Sequence, residues 1–473
     1  MKDEMLKTSD VLLFTAVDPY SYQIIPDLGL GYLASSLREA GHSVVIYDCR
    51  KEGADFPDLK AVLARSRPLV AGIKSYSNEA GNVKRMTEIV REVHPDAVIV
   101  VGGPHPSMNP EQTLMYIPEA DYAFIGEAEN NFPPFVSWIK SGGRGTPPAD
   151  IAGIAYRDET GISSRQACLE ADLDKMPLPA WDLMPPDQYP DEAAGVFVPE
   201  FPAAPLMLSR GCPFRCSYCG GRYISGGKLR YRSVENIISE IDFLQTYYNI
   251  KTFTFVDDNF TWDRERAMEL FRALASRERP VKFTFPNGVR VDSLEPEMLK
   301  QMEKAGCRLL ALGIESGSNR TLKRMNKRQT VEDIEKAVDM VRRHTDIMVT
   351  GFFILGYPGE TVDDVKQTIR FASDLGVHHA HFCIFIPIPG TPVYEELTEK
   401  GVIDKGSFDP DILTIDRPSL DSAELPAKKL LRLHQYAYFR FYTRPWRLMG
   451  LAGQIKSRSH LGIITRRVVK LFR

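Results

Sequence analysis

The chain has 473 residues, a formal net charge of −3, 43% hydrophobic residues and 26% charged residues. Its length allows two or three cores of about 100 to 200 residues each, and its charge shows no general bias toward nucleic acid. Seven cysteines without a pairing pattern, and no apolar run soon after Met1, favour the cytosol over secretion.

The first third of the chain alternates strand and helix patterns, which predicts a doubly wound parallel α/β sheet. In chain order the patterns cover residues 11–16, 28–40, 43–47, 69–73, 83–93, 97–101 and 122–125. Ligands of such sheets bind at the carboxyl ends of the strands. In this chain those ends carry glycine, serine and acidic residues. Those strand-end segments are Asp18-Pro-Tyr, Ser75-Tyr-Ser77, Gly102-Gly-Pro-His105 and Gly126-Glu127.

A proline-rich stretch then separates this domain from a second α/β series. We predict domains at 1–147 and 205–400, a linker at 148–204 with a strand pair near 153–162, and a C-terminal helical region at 401–473. The second series has strand patterns at 206–209, 252–256, 282–285, 309–313, 348–355 and 381–386. Six βα units predict a partial barrel of the TIM type, with its chemistry at the carboxyl ends of the strands.

Three cysteines follow the first strand of this second series. They are Cys212, Cys216 and Cys219 in Ser209-Arg-Gly-Cys-Pro-Phe-Arg-Cys-Ser-Tyr-Cys-Gly-Gly221. Three thiolates on one loop can hold an iron–sulfur cluster with one iron left open, whereas a closed zinc site takes four ligands. A zinc site remains an alternative if a distant residue supplies the fourth ligand.

The segment 440–473 contains nine basic residues and no acidic residue. Apolar residues such as Phe441, Trp446, Leu471 and Phe472 are interspersed with them, a pattern typical of a helix that lies on an anionic bilayer. No run in the chain approaches the roughly 18 apolar residues of a membrane span, so membrane contact is expected to be peripheral. The alternative is a helix that caps the barrel and keeps a solvated basic face.

The three-cysteine loop, with Tyr218 before its last cysteine and six βα units around it, resembles the radical S-adenosylmethionine superfamily. The resemblance implies that Cys212, Cys216 and Cys219 hold a [4Fe–4S] cluster whose open iron binds the amino and carboxylate groups of S-adenosylmethionine. Reductive cleavage would then yield a 5′-deoxyadenosyl radical that removes hydrogen from unactivated carbon.

Residues at later strand ends match the positions where this family binds S-adenosylmethionine. Asp257 and Asp258 would accept hydrogen bonds from the methionine ammonium group, and Arg290 would pair with its carboxylate unless it forms a salt bridge with Asp292. Glu315 in Gly-Ile-Glu would bind both ribose hydroxyls. Gly356, in the run 351–360, would let adenine approach the backbone.

The first domain resembles the cobalamin-binding domain found in one branch of this superfamily. The similar segments are Leu28-Gly-Leu-Gly31, Gly102-Gly-Pro-His-Pro-Ser107 and Gly126-Glu-Ala-Glu129. Better-known cobalamin domains place a cobalt-binding histidine after the first strand, but residues 18–23 contain none. The resemblance therefore implies either cobalamin without a histidine ligand or a domain that has lost the cofactor. Residues expected near the cobalamin tail are Ser75, Ser77, Gly102 and Gly103, with His105 as a further contact.

His379, His381 and Cys383 alternate on the sixth strand and share one face of it. If that face is the barrel interior, His381 could carry a proton near the substrate, although a core histidine is the more ordinary role.

Together these features predict a cobalamin-dependent radical enzyme that methylates an unactivated carbon. The alternatives are a radical cyclisation, oxidation or ring rearrangement, as in the anaerobic magnesium-protoporphyrin ester cyclase, and a non-catalytic iron–sulfur or corrin-binding module. The expected partners are a small, apolar substrate and an external electron donor of the flavodoxin or ferredoxin type, with no nucleic acid.

Overall fold

The computed structural model describes residues 6–18, 24–191, 198–404, 406, 408–445 and 447. These residues form two large sheets, each flanked by helices, and a separate two-stranded ladder. Most of the segment without the expected cobalt-binding histidine, residues 19–23, lies outside the described residues, as do position 446 and positions 448–473 of the basic tail. No described helix has both the length and the apolar character needed to cross a bilayer.

The first sheet orders its strands β2-β1-β3-β4-β5-β6-β7. Its strands are β1 Val11–Phe14, β2 Val44–Tyr47, β3 Val70–Lys74, β4 Val98–Gly102, β5 Tyr122–Phe124, β6 Ile154–Asp158 and β7 Gly161–Arg165. Its helices are α1 Leu28–Glu39, α2 Cys49–Glu52, α3 Phe56–Leu63, α4 Ala80–Val93, α5 Pro104–Met108, α6 Pro110–Tyr116 and α7 Phe132–Lys140. Strands β1 to β5 run parallel, and β1 is buried along its whole length, because helices cover both faces. This confirms the predicted doubly wound domain.

The predicted strand pair near 153–162 exists as β6 and β7. It adds to the first sheet by antiparallel pairing of β6 with β5. The strand pair therefore packs with the first domain, and the domain boundaries drawn from the sequence remain a prediction.

The second sheet orders its strands β15-β14-β13-β12-β11-β8, and all neighbouring strands are parallel. Its strands are β8 Ala203–Leu206, β11 Thr252–Phe255, β12 Lys282–Val289, β13 Cys307–Glu315, β14 Met348–Leu355 and β15 His379–Ile384, and a separate two-stranded ladder is formed by β9 Ser209–Arg210 and β10 Arg230–Tyr231. Its helices are α8 Gly221–Ser225, α9 Val234–Tyr247, α10 Arg264–Ala275, α11 Pro296–Ala305, α12 Asn319–Arg324, α13 Val331–His344, α14 Val362–Asp374, α15 Pro392–Glu399 and α16 Ala427–Tyr442. The edge strands β8 and β15 are not paired with each other, as predicted for a partial barrel.

Local sequence explains where the barrel helices begin. Thr330 and Thr361 are the N-caps of α13 and α14, and each forms a reciprocal capping box with the aspartate three residues later. In α13 the buried residues Ile334, Ala337, Val338 and Val341 recur every three to four positions, so one stripe of the helix packs on the sheet.

Helix α16 covers the open edge of the barrel at β15. The hydroxyl groups of Tyr438 and Tyr442, one helical turn apart, lie 3.2–3.3 Å from backbone N–H and carbonyl groups of β15. These contacts satisfy groups that an exposed edge strand would leave unpaired. Beyond α16, Arg444 pairs with Asp374, and Arg447 donates to the Ser373 carbonyl at 3.0 Å. The described start of the basic tail therefore caps the barrel.

Candidate active site between the two domains

The three cysteines lie on a loop that leaves β9 and is anchored from several sides. Cys212 N donates to Gly226 O at 3.1 Å, and Gly221 N lies 3.4 Å from the sulfur of Cys219. Between the second and third cysteines, Ser217 donates its backbone N–H to Met325 O at 2.9 Å, and its hydroxyl lies 2.8 Å from that of Tyr357. The loop is thus tied to the end of α12, to the turn after β14 and to the turn after α8.

The cysteine thiols fit a cluster better than a single metal ion. No three His, Cys, Asp or Glu side chains in the described part of the chain converge on one point as the ligands of a single ion do. The thiolates of a cluster each bind a different iron, so convergence on one point is not required. Burial raises the pKa of the Cys212 thiol, so this side chain stays protonated in the cofactor-free protein and would bind as a thiolate only to a cationic centre such as the irons of a cluster.

The two predicted ammonium-binding aspartates have different environments. Asp257 is 5% exposed, and its carboxylate accepts hydrogen bonds from the backbone N–H groups of Leu208 and Ser209 and from the Ser209 hydroxyl. Asp258 forms no hydrogen bond or ion pair with another described residue and borders the cavity. Its side chain is exposed at the cavity wall, and partial desolvation there raises its pKa. Asp258 is therefore available to a ligand, whereas Asp257 holds the chain that leads into the cysteine loop.

Arg290 forms the salt bridge that was the alternative to carboxylate binding. Its guanidinium makes two bonds of 2.9 and 2.8 Å to Asp292 and donates to Lys327 O at 3.0 Å. It also lies over the ring of Phe214, with its central carbon 3.6 Å from the ring centroid. Because Phe214 belongs to the cysteine loop, the structure gives Arg290 a role in positioning that loop.

Glu315 lies beside the cysteine loop in a buried ion pair that sequence reasoning missed. Its carboxylate is 2.8 Å from the ammonium of Lys327, and these residues are 8% and 6% exposed. Burial, followed by the neighbouring Glu315 charge, raises the pKa of Tyr218 well above its usual range, so this phenol is neutral. Glu315 also has a φ of +67°, a conformation that costs a non-glycine residue about 1 to 3 kcal/mol and collects at functional sites.

Gly356 lies under the C-terminal helix. Its φ is +82°, and a Cβ at this position would stand 2.4 Å from Leu430 of α16. Its N–H and that of Tyr357 donate to one oxygen of Glu360, at 2.8 and 3.0 Å. The glycine is thus required by a tight turn and by the packing of α16, while a contact with adenine stays a prediction.

Glu360 should make the stability of the cofactor-free protein depend on pH. It is 2% exposed, and burial raises its pKa from an ordinary value near 4.5 to about 7. Between these values the folded protein keeps a proton that the unfolded chain has lost, so the free energy of unfolding should fall as pH rises from about 4.5 to 7, by about 3 kcal/mol at most. Glu360→Gln should remove this decline, as checked by urea unfolding of both proteins at several pH values. Parallel pH profiles would contradict the prediction.

A cavity of about 320 Å³ joins the two domains. One end is formed by the strand ends of the first sheet, including Gly102 and Gly103, and the other by Asp257, Asp258 and Ser209 beside the cysteine loop. The sheet ends and the cysteine loop thus face one shared space.

Three residues predicted near the cobalamin tail do not line this cavity. Ser75 is buried and donates its hydroxyl to Tyr76 O, and Ser77 lies 3.1 Å from Nδ1 of His105. His105 is completely buried and stacks on Phe408, with ring centroids 5.1 Å apart. Burial lowers the pKa of His105 to about 4, so it is a neutral residue of the domain interface. Of the five predicted positions, the structure brings Gly102 and Gly103 to the cavity wall.

Charged pairs that sequence analysis did not predict close the cavity between the domains. Arg210, two residues before the first cysteine, bonds Glu129 at 2.6 Å and lies 3.3 Å from Glu127. Arg230 bonds Glu127 at 2.5 Å, and all four side chains are at most 11% exposed. The Gly126-Glu-Ala-Glu129 segment was recognised as a strand end, but its arginine partners are more than 80 residues away in sequence. Burial of these pairs ties the first domain to the cysteine loop.

The shared face of His379, His381 and Cys383 is the inner face of the barrel. The opposite face of β15 carries Phe382, which packs against Tyr438 of α16. His381 is half-buried beside Phe352, with ring centroids 5.4 Å apart. The shared face of β15 is thus the barrel interior, which a contact of His381 with substrate requires. The proton-carrying role of His381 remains a prediction.

Two family models match the chain, one for each domain. The B12 binding domain matches residues 17–136, and the Radical SAM superfamily matches residues 206–372. A partial barrel with a three-cysteine loop, joined through a shared cavity to a B12-binding domain, defines the class of cobalamin-binding radical S-adenosylmethionine enzymes.

Curated relatives cover most of this chain. An uncharacterised methyltransferase of Pyrococcus horikoshii is 31% identical over 89% of this chain and 88% of its own length. The cytidylyl-2-hydroxyethylphosphonate methyltransferase of Streptomyces wedmorensis is 30% identical over 80% and 78%, and the anaerobic magnesium-protoporphyrin IX monomethyl ester cyclase of Cereibacter sphaeroides is 26% identical over 90% and 69%. The chain belongs to the cobalamin-binding radical S-adenosylmethionine family, as predicted.

Solved structures confirm the fold. The methyltransferase TsrM from Kitasatospora setae, solved with cobalamin and a [4Fe–4S] cluster, gives a TM-score of 0.68 at 20% identity over 83% of this chain and 75% of that chain. The cobalamin-dependent enzyme OxsB gives 0.71 at 20% identity over 92% and 67%.

Proposed function

We propose that this protein is a cobalamin-dependent radical S-adenosylmethionine enzyme that methylates an unactivated carbon of a small molecule. The observation that carries the proposal is the shared cavity, because it faces both the strand ends of the B12-binding domain and Asp258 beside the cysteine loop. When bound, the cluster with S-adenosylmethionine would supply a radical that removes hydrogen, and cobalamin would supply the methyl group.

The residues of this chain divide into ligands and positioning groups. Cys212, Cys216 and Cys219 would hold the cluster, Asp258 would accept hydrogen bonds from the methionine ammonium, and Glu315 would bind the ribose hydroxyls. Asp257 and Arg290 would hold the cysteine loop in place through the contacts described above. Lys327 would orient the Glu315 carboxylate and leave its second oxygen for the ligand.

Gly102 offers a direct test of where cobalamin binds. It lines the cavity, and no atom lies within 4 Å of the position that its Cβ would take. Gly102→Leu should therefore leave folding intact but fill space needed by cobalamin, reducing cobalamin affinity about tenfold or more, the equivalent of about 1.4 kcal/mol. Binding is measured by equilibrium dialysis of hydroxocobalamin. Glu159→Leu, which adds the same side chain to the exposed β6–β7 turn, is the control, and equal affinity of both variants would place cobalamin elsewhere.

The reaction is tested by mass spectrometry of products formed anaerobically from cell extract and methyl-labelled S-adenosylmethionine. A labelled methyl group on carbon is the expected result. Unlabelled cyclised or oxidised products would favour the second candidate, which is supported by the similarity to the ester cyclase. Absence of S-adenosylmethionine cleavage by the fully reconstituted protein would instead favour a non-catalytic binding module.

We also propose that this cytosolic enzyme contacts anionic membrane surfaces peripherally through helix α16. Helix α16 has no acidic residue, and its outer stripe contains Lys429, Arg432, Tyr436 and Phe439, the last 63% exposed. Each basic residue contributes about 1 kcal/mol near an anionic surface. Tyr436→Ser with Phe439→Ser should reduce flotation with anionic liposomes at low salt, whereas Tyr247→Ser, an exposed tyrosine on α9, should not. Equal flotation of all forms would leave capping as the role of α16.

A further inference from the structure

Basic side chains surround the cysteine loop on its outer surface. We call this group the loop patch, and its members are Arg215, Arg222, Lys228, Lys323, Arg324 and Arg328. Arg222 is half-buried and the others are exposed. Because the whole chain carries a net charge of −3, this local excess of positive charge is not a general property of the protein.

The loop patch lies directly over the cysteines because two segments pack against their loop. Asn326, just beyond α12, donates its side-chain amide to Arg215 O at 2.7 Å. Arg222, at the start of α8, donates to Pro213 O at 3.4 Å. Cys219 is itself exposed between these segments, so a molecule on the patch would lie next to a cluster ligand.

The charges of the loop patch are not neutralised within the described part of the chain. None of its six members forms an ion pair there. At its margin Arg320 already pairs with Asp364, and Glu396 pairs with Lys400 at 2.5 Å. Clustered like charges repel and do not stabilise the fold, whereas they create a field that attracts an acidic partner.

We propose that the loop patch is the docking surface for an acidic one-electron carrier protein, an inference that rests on the proposed function. On transfer the carrier would lose one electron and the cluster that Cys212, Cys216 and Cys219 would hold would gain it, with no proton or bond exchanged. Tyr223 of α8 is 47% exposed beside Arg222 and would give the interface an aromatic anchor among the charges.

The test uses the full-length protein and an acidic flavodoxin as the probe. Arg215→Glu with Lys323→Glu reverses two patch charges, and Lys300→Glu with Lys336→Glu makes the same change at exposed sites on α11 and α13. At low salt the patch variant should bind oxidised flavodoxin about tenfold more weakly and should be reduced by flavodoxin hydroquinone about tenfold more slowly, because steering depends on charge. The control variant should match the wild type, and titanium(III) citrate should reduce all three proteins at one rate.

Equal flavodoxin affinity of all three proteins would overturn the proposal. A short RNA that binds the loop patch more tightly than flavodoxin does, and displaces it, would also overturn the proposal. Slow reduction of the patch variant by titanium(III) citrate would also contradict it, because the substitutions would then have damaged the cluster site. If no cluster forms, the proposed function fails, but flavodoxin affinity still tests the patch. If a cluster forms and is reduced without cleavage of S-adenosylmethionine, the proposed function fails while the docking surface stands.

Discussion

Replacement of Cys216 by alanine should abolish cleavage of S-adenosylmethionine and the broad brown absorbance of the reconstituted protein. The middle cysteine lies between the hydrogen-bonded positions 212 and 217, and its loss would leave two thiolates on the loop, while Cys307 and Cys49 are buried in the two cores. A cluster held by two thiolates should be lost on gel filtration. Iron content and S-adenosylmethionine cleavage with a chemical reductant are the measurements.

Cys168→Ala is the control, since Cys168 is a free, exposed thiol that follows β7 and lies outside the cysteine loop. It should keep about four irons per chain and full cleavage. Retention of the same iron content by Cys216→Ala would show that the loop is not the cluster site, and loss of iron in both variants would point to a general effect of removing thiols.

Glu315→Gln should weaken S-adenosylmethionine binding about tenfold or more and should also destabilise the protein. A hydrogen bond to a charged acceptor contributes about 1.5 to 3 kcal/mol, which sets the loss of affinity. The substitution also leaves the ammonium of Lys327 buried without its partner, and breaking a buried pair costs about 3 to 5 kcal/mol. Equilibrium dialysis and urea unfolding measure the two effects, with iron content as the check on the cluster.

The double variant Glu315→Gln with Lys327→Met separates these two roles. It removes the unpaired ammonium and should recover most of the stability, because a buried pair can be replaced by apolar groups at little cost. Affinity for S-adenosylmethionine should stay low. Recovery of affinity together with stability would assign Glu315 a purely structural role.

Two features of the polypeptide explain why the architecture could be predicted from local sequence. The spacing of apolar residues distinguishes strands from helices. Parallel strands that are separated by helices can be ordered in a sheet in only a few ways. The prediction erred at the first barrel strand, which was expected at 206–209 but ends at Leu206. Asp257, about 50 residues later, binds the N–H groups of Leu208 and Ser209 and draws the chain away from β8.

The candidate site likewise combines features that local sequence shows with features that only folding creates. Cysteine spacing and the positions of Asp258 and Glu315 at strand ends are local features, and a sequence shows them without any knowledge of packing. Which of these groups is paired depends on residues that are distant in the chain, and only folding brings them together. Arg290 stacks on Phe214 and His105 stacks on Phe408, while Glu315 pairs with Lys327 from beyond helix α12.

The sequence by itself therefore determined the two-domain α/β architecture, the cysteine loop and the family. The tertiary structure decided which strand-end side chains remain available to a ligand, and it revealed the charged pairs that join the domains. The physical reason is that the free energy of a buried charge depends on the partners packed around it, and those partners come from separate elements of the fold.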